Sequence, residues 1–178
     1  MKFKKVFYLF FFIFCKLIIA QNIMIKDIKI EGLNRISKEE ILFHIKLSPG
    51  MVLSKGDEIN KAVDRLWNLK RFSNIQIYLD KETNEGILLK IIVEELPIVG
   101  EINFFGNKKN KDRTLTDIIN ITTGQMVSEN SIFNARMNII NKYQSDNFHN
   151  VAVDVEFINT DVDYIKNINF NIIEGKKS

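Results

Sequence analysis

The chain of 178 residues is 46% hydrophobic and 26% charged, which excludes a disordered polymer, and its single cysteine excludes a disulfide framework. The formal net charge is +3, but four of the 25 basic residues (Lys2, Lys4, Lys5 and Lys16) crowd the first twenty positions with no acid beside them. The remaining 21 face 22 acidic residues, net −1, so no basic surface argues for a nucleic-acid partner.

The N-terminal segment is the first element. Lys2, Lys4 and Lys5 precede an apolar run from Val6 to Phe14, and Leu17, Ile18, Ile19 and Ala20 lead into Gln21. A charged start, a short apolar stretch and a small residue at the boundary predict a secretory signal peptide over residues 1–20, cleaved after Ala20. Lys16 keeps the run below the roughly 20 apolar residues of a spanning helix. A retained N-terminal anchor is the alternative. Cys15 does not read as a lipoprotein site, because Phe12, Ile13 and Phe14 before it are too bulky.

Beyond the leader the chain repeats itself. Ile28, Gly32, Leu47, Gly50, Leu53 and Ser54 return as Ile102, Gly106, Ile121, Gly124, Val127 and Ser128, each 74 residues on. The spacing widens to 76 where Phe72, Ile75, Ile77 and Leu79 match Phe148, Val151, Val153 and Val155, and to 80 where Glu94 matches Glu174. Insertions that fall between elements indicate two copies of one fold.

In the first copy, Ile28 and Ile30 share a face of a strand that Glu31-Gly32-Leu33-Asn34 closes. Ser37-Lys38-Glu39-Glu40 predicts a capping box, in which Ser37 accepts from the Glu40 amide and Glu40 reaches back. Ile41, Leu42 and Ile45 supply that helix's apolar face, and Ser48-Pro49-Gly50 ends it. A second helix, from about Lys55 to Lys70, carries Ile59, Ala62, Val63, Leu66 and Trp67 as one stripe, with Trp67 as core filler. Ile75, Ile77 and Leu79 alternate with Gln76, Tyr78 and Asp80, a strand with one wet face. The run Ile87 to Val93 is apolar at nearly every position and reads as the central strand. Pro97 closes the unit, whose order is β-α-α-β-β.

The second copy has the same order. Ile102 and Phe104 lie in its first strand, and Phe105-Gly106-Asn107 turns it. Thr114 is the predicted cap of a helix carrying Leu115, Ile118 and Ile119, with Asp117 favouring its positive end and Thr123-Gly124 its stop. The second helix, Glu129 to Tyr143, is predicted to bury Ile132, Phe133, Ala135, Met137, Ile139 and Ile140. Asn147 supplies a left-handed exit. Val151, Val153, Val155 and Phe157 alternate with Ala152, Asp154 and Glu156, and Ile165, Ile168, Phe170 and Ile172 lead into the last strand. Lys108, Lys109, Lys111 and Arg113 read as a solvated turn.

These residues resemble a known family. Ile30 to Asn34, Leu69 to Ile75 and Val93 to Ile98, with Ile102 to Asn107, Gly124 to Val127 and Ile173 to Gly175, are similar to POTRA domains, the polypeptide-transport-associated modules. Two such units behind a leader resemble the N-terminal periplasmic part of BamA-like outer-membrane protein assembly factors of the surface-antigen barrel superfamily. The resemblance covers residues 22–175 and implies an α+β fold: POTRA domains at 22–97 and 98–175, each a three-stranded mixed sheet packed on two helices. Lys70 and Asn147 stand where such domains often carry glycine, and Lys70 leads us to expect a first exit built differently. Members of this kind continue into a membrane β-barrel that residues 1–178 do not supply.

Enzymatic chemistry has little support. His44 and His149 have no cysteine or acidic cluster at ligand spacing, and no nucleophile or phosphate-cradling motif occurs. No catalytic residue, metal, cofactor or small-molecule substrate is expected. A sheet covered by helices on one face does leave an edge able to accept an extended chain. The resemblance implies that this edge follows the second helix: Asn74, Ile75, Gln76, Ile77, Tyr78 and Leu79 in one copy, and Asn150, Val151, Ala152, Val153, Asp154, Val155, Glu156 and Phe157 in the other. The implied partners are unfolded outer-membrane proteins or assembly accessory proteins, met in the periplasm. The alternatives are a spacer whose angle is set by Leu96–Val99, the arm of a two-partner secretion transporter, or an anchored cell-division type protein.

Overall fold

A computed structural model describes residues 23–53 and 57–177; the predicted leader, together with Ser54 and Lys55, lies outside them. The first repeat contains β1 (Ile23–Glu31), α1 (Lys38–Ile45), β2 (Val52–Leu53), α2 (Asp57–Asn68), β3 (Phe72–Thr83) and β4 (Gly86–Glu95). The second contains β5 (Ile98–Phe105), α3 (Asp112–Ile119), α4 (Glu129–Ser145), β6 (Ala152–Asn159) and β7 (Ile165–Ile173). Only Leu96 and Pro97 separate β4 from β5, a shorter joint than the Leu96–Val99 expected.

Each repeat builds a mixed sheet. The orders are β2-β1-β4-β3 and β5-β7-β6, with the last strand of each repeat inside the sheet. β1 runs parallel to β4 and β5 to β7, whereas β3 and β6 pair antiparallel with the same central strands. A parallel pair needs a long crossover, which the two helices of each repeat provide. The two-residue β2 adds a fourth strand to the first sheet through the pair Met24↔Val52. Its counterpart in the second repeat is the single bridge Ile98↔Met126, 74 residues on at both positions.

Two separate apolar clusters form where the helices cover the sheets. Ile25, Ile28, Ile41, Ile45, Ala62, Leu66 and Ile91 centre the first, and Leu115, Ile139, Tyr143, Ile168 and Phe170 the second. On β4, burial alternates, with Ile87, Leu89, Ile91 and Val93 under the helices. On β7 the same role falls to Ile168, Phe170 and Ile172, and Phe170 stacks on Phe104 at 5.3 Å.

Two aromatics expected in the core lie outside it. Trp67 is 44% exposed and Phe133 55% exposed. The α2 stripe is Ile59, Ala62, Leu66 with Leu69 beyond it, and Trp67 stands one position off that line. The α4 stripe is Ile132, Ala135, Ile139 and Tyr143, which leaves Phe133 beside it and Met137 half-buried.

Helix ends follow local chemistry. Ser37 accepts from the Glu40 amide at 3.1 Å, but Glu40 spends its carboxylate on Arg71 at 2.8 Å instead of closing the box. α1 stops ahead of Pro49, because Lys46 turns left-handed and donates its N–H to the Leu42 carbonyl. α3 begins at Asp112 with Lys111 at its cap and no side-chain bond, so Thr114 and Arg113 are helical, and Asp112 rather than Asp117 meets the positive end. The preceding turn is held by Asn107, which donates to Asp112 Oδ1 at 2.7 Å and to the Asn110 carbonyl at 3.0 Å. Asn120, with φ 54°, closes α3 before Thr123. Ser128 caps α4 through the Ser131 amide at 3.2 Å. Lys70 and Asn147 adopt the same left-handed exit, φ 52° and 69°, so the first exit is not built differently. Both are exposed, and a lysine there avoids any clash beyond the intrinsic cost of the conformation.

Candidate functional site

β3 and β6 are the edge strands that follow the second helices. Among the described residues, each pairs with a single neighbour, leaving one row of backbone groups directed outward. On β3, Asn74, Ile75, Gln76, Ile77, Tyr78 and Leu79 form an unbroken register with Glu94 to Leu89, bounded by shifts at Phe72/Asn74 and Leu79/Lys81. Ile75 is buried and Ile77 half-buried. Leu79, expected to point inward, is 48% exposed because the strand runs past the helical cover.

β6 pairs without a shift from Ala152↔Ile173 to Asn159↔Lys166. Asn150 lies in the turn before it and Val151 is not yet paired, so the second edge begins at Ala152 rather than at Asn150. Val153 is buried and Val155 half-buried, whereas Phe157 is 42% exposed where the strand outruns its helix, against the expected alternation. Arg136 of α4 donates Nε–H to the Val153 carbonyl at 2.7 Å. Nothing in the periodicity of α4 marks this residue.

Among the described residues, no three His, Cys, Asp or Glu side chains gather as a metal site would require. His44 is half-buried, edge-on to Phe43 at 5.5 Å, and His149 is exposed.

A family model described as surface antigen variable number repeat, POTRA, matches residues 23–96 and again residues 97–175. The chain belongs to the POTRA family. It is 22% identical over 125 residues to the outer membrane protein assembly factor BamA of Nitratidesulfovibrio vulgaris, a match that spans 70% of this chain and 16% of that protein. The fold is similar to the N-terminal domain of Omp85 from the thermophilic cyanobacterium Thermosynechococcus elongatus, at a TM-score of 0.54 and 14% identity over 86% of this chain and 63% of that one. It is also similar to POTRA1-2 of the periplasmic domain of Omp85 from Anabaena, at 0.51 and 13% identity over 89% and 99%.

Within each POTRA unit one glutamate at the end of the central strand ties down the turn after the first strand. Glu95 Oε1 accepts the amides of Asn34, Arg35 and Ile36 at 2.8, 2.9 and 3.2 Å. Glu174 Oε1 accepts from Lys109 N–H at 2.6 Å and from the Tyr143 hydroxyl at 3.0 Å. The structural pair is therefore Glu95 and Glu174, 79 residues apart, not Glu94 and Glu174. The registers agree: Glu31↔Ile92 corresponds to Phe105↔Asn171, an offset of 74 on the first strand and 79 on the last.

Arg35 extends the first cluster into the joint between the units. Its Nε lies 3.0 Å from Glu95 Oε2, its Nη2 donates to the Leu96 carbonyl at 2.6 Å, and the guanidinium sits 5.4 Å from the centre of the Tyr164 ring in the second POTRA unit. A cation over an aromatic face is attractive and directional.

Tyr143 has no exposed surface, and burial first, then the Glu174 carboxylate, push its hydroxyl up to about 12. A tyrosine whose value is raised by folding contributes stability that is complete below the ordinary value of about 10 and is lost as pH climbs through the raised one. Tyr143→Phe is expected to cost about 1–2 kcal/mol by denaturant unfolding and to flatten the stability loss above about pH 10. Tyr78→Phe, at a 41% exposed site, is the control. A Tyr143→Phe variant with unchanged stability and an unchanged alkaline limb would rule out this role for Tyr143.

Proposed function

We propose that this POTRA pair serves outer-membrane protein assembly and insertion in the periplasm, binding unfolded clients or assembly accessory proteins by strand addition at the edges of β3 and β6. The observation that carries this reading is the position of those strands: each closes its sheet on the side reached directly from the second helix and, among the described residues, pairs with one strand only, its outward row open except at the Val153 carbonyl that Arg136 holds. Backbone pairing reads little side-chain identity, which suits a module that meets many unfolded chains. The assembly role is carried over from the name of the BamA relative, of which this chain spans 16%. The reading includes a cleaved leader at residues 1–20, binding units at 22–97 and 98–175, membrane attachment through a C-terminal barrel, and no catalysis or small-molecule substrate.

A second reading has its own observation. The contact of Arg35 with Tyr164 across a two-residue joint favours a pair held at a set angle, as a spacer or secretion arm would need. Titration of the isotope-labelled protein with an extended outer-membrane-protein peptide separates the two. Amide shifts confined to Asn74–Leu79 and to β6 are expected for strand addition. Absence of any shift along both strands leaves the spacer.

A further inference from the structure

α4 packs against β6 through the core, and its Arg136 holds the Val153 carbonyl at 2.7 Å. In an antiparallel ladder every second residue turns both backbone groups away from its partner. Ile172, the partner of Val153, turns its carbonyl toward Gly106 on the β5 side, so the two do not bond to each other and Val153 belongs to that outward set. Val153, Val155, Phe157 and Asn159 therefore carry the outward groups of β6, while Ala152, Asp154, Glu156 and Ile158 bond to β7. Arg136 fills the first outward position, and with Val153 and Asp154 it lines an open groove of about 650 Å³ that continues to Phe105 and Ile173.

The first POTRA unit has no counterpart. The residue 73 positions before Arg136, by the offset that carries Ile59, Ala62 and Leu66 of α2 onto Ile132, Ala135 and Ile139 of α4, is the apolar Val63. The guanidinium that α2 does carry, Arg65, donates to the Ile45 carbonyl at the end of α1, at 2.7 Å.

Resting on the strand-addition reading above, we infer that Arg136 is a specificity-determining residue that sets the register at the second edge. It closes the Val153 end, so a chain added to β6 pairs from Val155 onward, whereas the first edge accepts a chain along the whole of Asn74–Leu79. An incoming amide seeking the Val153 carbonyl has to displace a charged donor, and a charge-assisted hydrogen bond is roughly twice as strong as a neutral one. The partner that fits is an extended segment whose terminus, or whose last pairing residue, falls at Val155.

The test is amide-shift mapping on the protein with a short extended peptide of alternating valine and threonine, in wild type and in Arg136→Met. In wild type, Val155, Phe157 and Asn159 are expected to shift and Val153 to stay. In Arg136→Met the footprint extends to Val153 and binding at β6 tightens by roughly tenfold, the value of one more hydrogen bond. A wild-type footprint that already includes Val153, or one that does not lengthen in Arg136→Met, overturns the inference while strand addition stands. The wild-type footprint decides this even where the variant folds poorly. Shifts on β3 with none on β6 overturn it too, and silence on both edges removes the strand-addition reading with it.

Discussion

Glu95→Ala is expected to destabilise the first POTRA unit by about 3–5 kcal/mol, the cost of leaving a buried charge without its partner. The Glu95 side chain is fully enclosed and Arg35 is 16% exposed. Removing the carboxylate strands three backbone amides, those of Asn34, Arg35 and Ile36, and leaves the Arg35 guanidinium its Leu96 and Tyr164 contacts but no counter-charge. A small domain has only about 5–15 kcal/mol in total, so the unit is left close to unfolding at room temperature. Glu94→Ala, one residue away and exposed, should stay within about 0.5 kcal/mol of wild type. Urea unfolding of the two variants makes the comparison; equal costs would show that the turn is held by something else.

The same carboxyl carries a pH dependence. Burial pushes Glu95 up, but the amide donors of Arg35, Asn34 and Ile36 and the Arg35 charge together outweigh it, and the group is held below its ordinary value. A carboxyl depressed by folding contributes stability above its unfolded value, and that stability disappears as pH falls through the folded one. Wild-type stability should therefore fall on acidification below about pH 4, and Glu95→Gln should flatten that limb. An unchanged acid limb in Glu95→Gln would assign the effect to other carboxylates.

Gly106→Ala is expected to cost the second unit about 2–5 kcal/mol, and Gly32→Ala the same in the first. Both glycines hold left-handed backbone, φ 80° and 86°. An added methyl at Gly106 would collide with the Ile172 carbonyl, and at Gly32 with that of Val93. Those carbonyls belong to the central strands, which cannot retreat without disturbing a ladder on each side. Gly50 and Gly124 separate the two contributions: φ is 84° and 88°, but a methyl there meets open space. Alanine at those sites should cost only the conformational part, about 1–2 kcal/mol. Denaturant unfolding that finds Gly124→Ala as costly as Gly106→Ala would remove the close approach from the explanation.

Much of this architecture was legible in the amino-acid order alone, because it depends on near neighbours. Gly32 and Gly106 mark the same turn 74 residues apart, Ser37 caps the helix it precedes, and the run Ile87 to Val93, apolar at every position but Lys90, reads as a strand inside its sheet. These features rest on backbone conformation, first-turn hydrogen bonds and period-two burial, which a short window of residues specifies. Other features depend on partners far along the chain. Glu95 rather than Glu94 reaches the turn, because a shift of one residue in strand register exchanges the two faces. Glu40 abandons its own helix cap for Arg71, and Trp67 and Phe133 stay outside cores whose width the sheets define. The edge strands lose their helical cover at Leu79 and Phe157 because helix length and strand length are set independently. Arg136 against Val153 and Arg35 against Tyr164 join residues 17 and 129 positions apart, and only tertiary packing brings such pairs together.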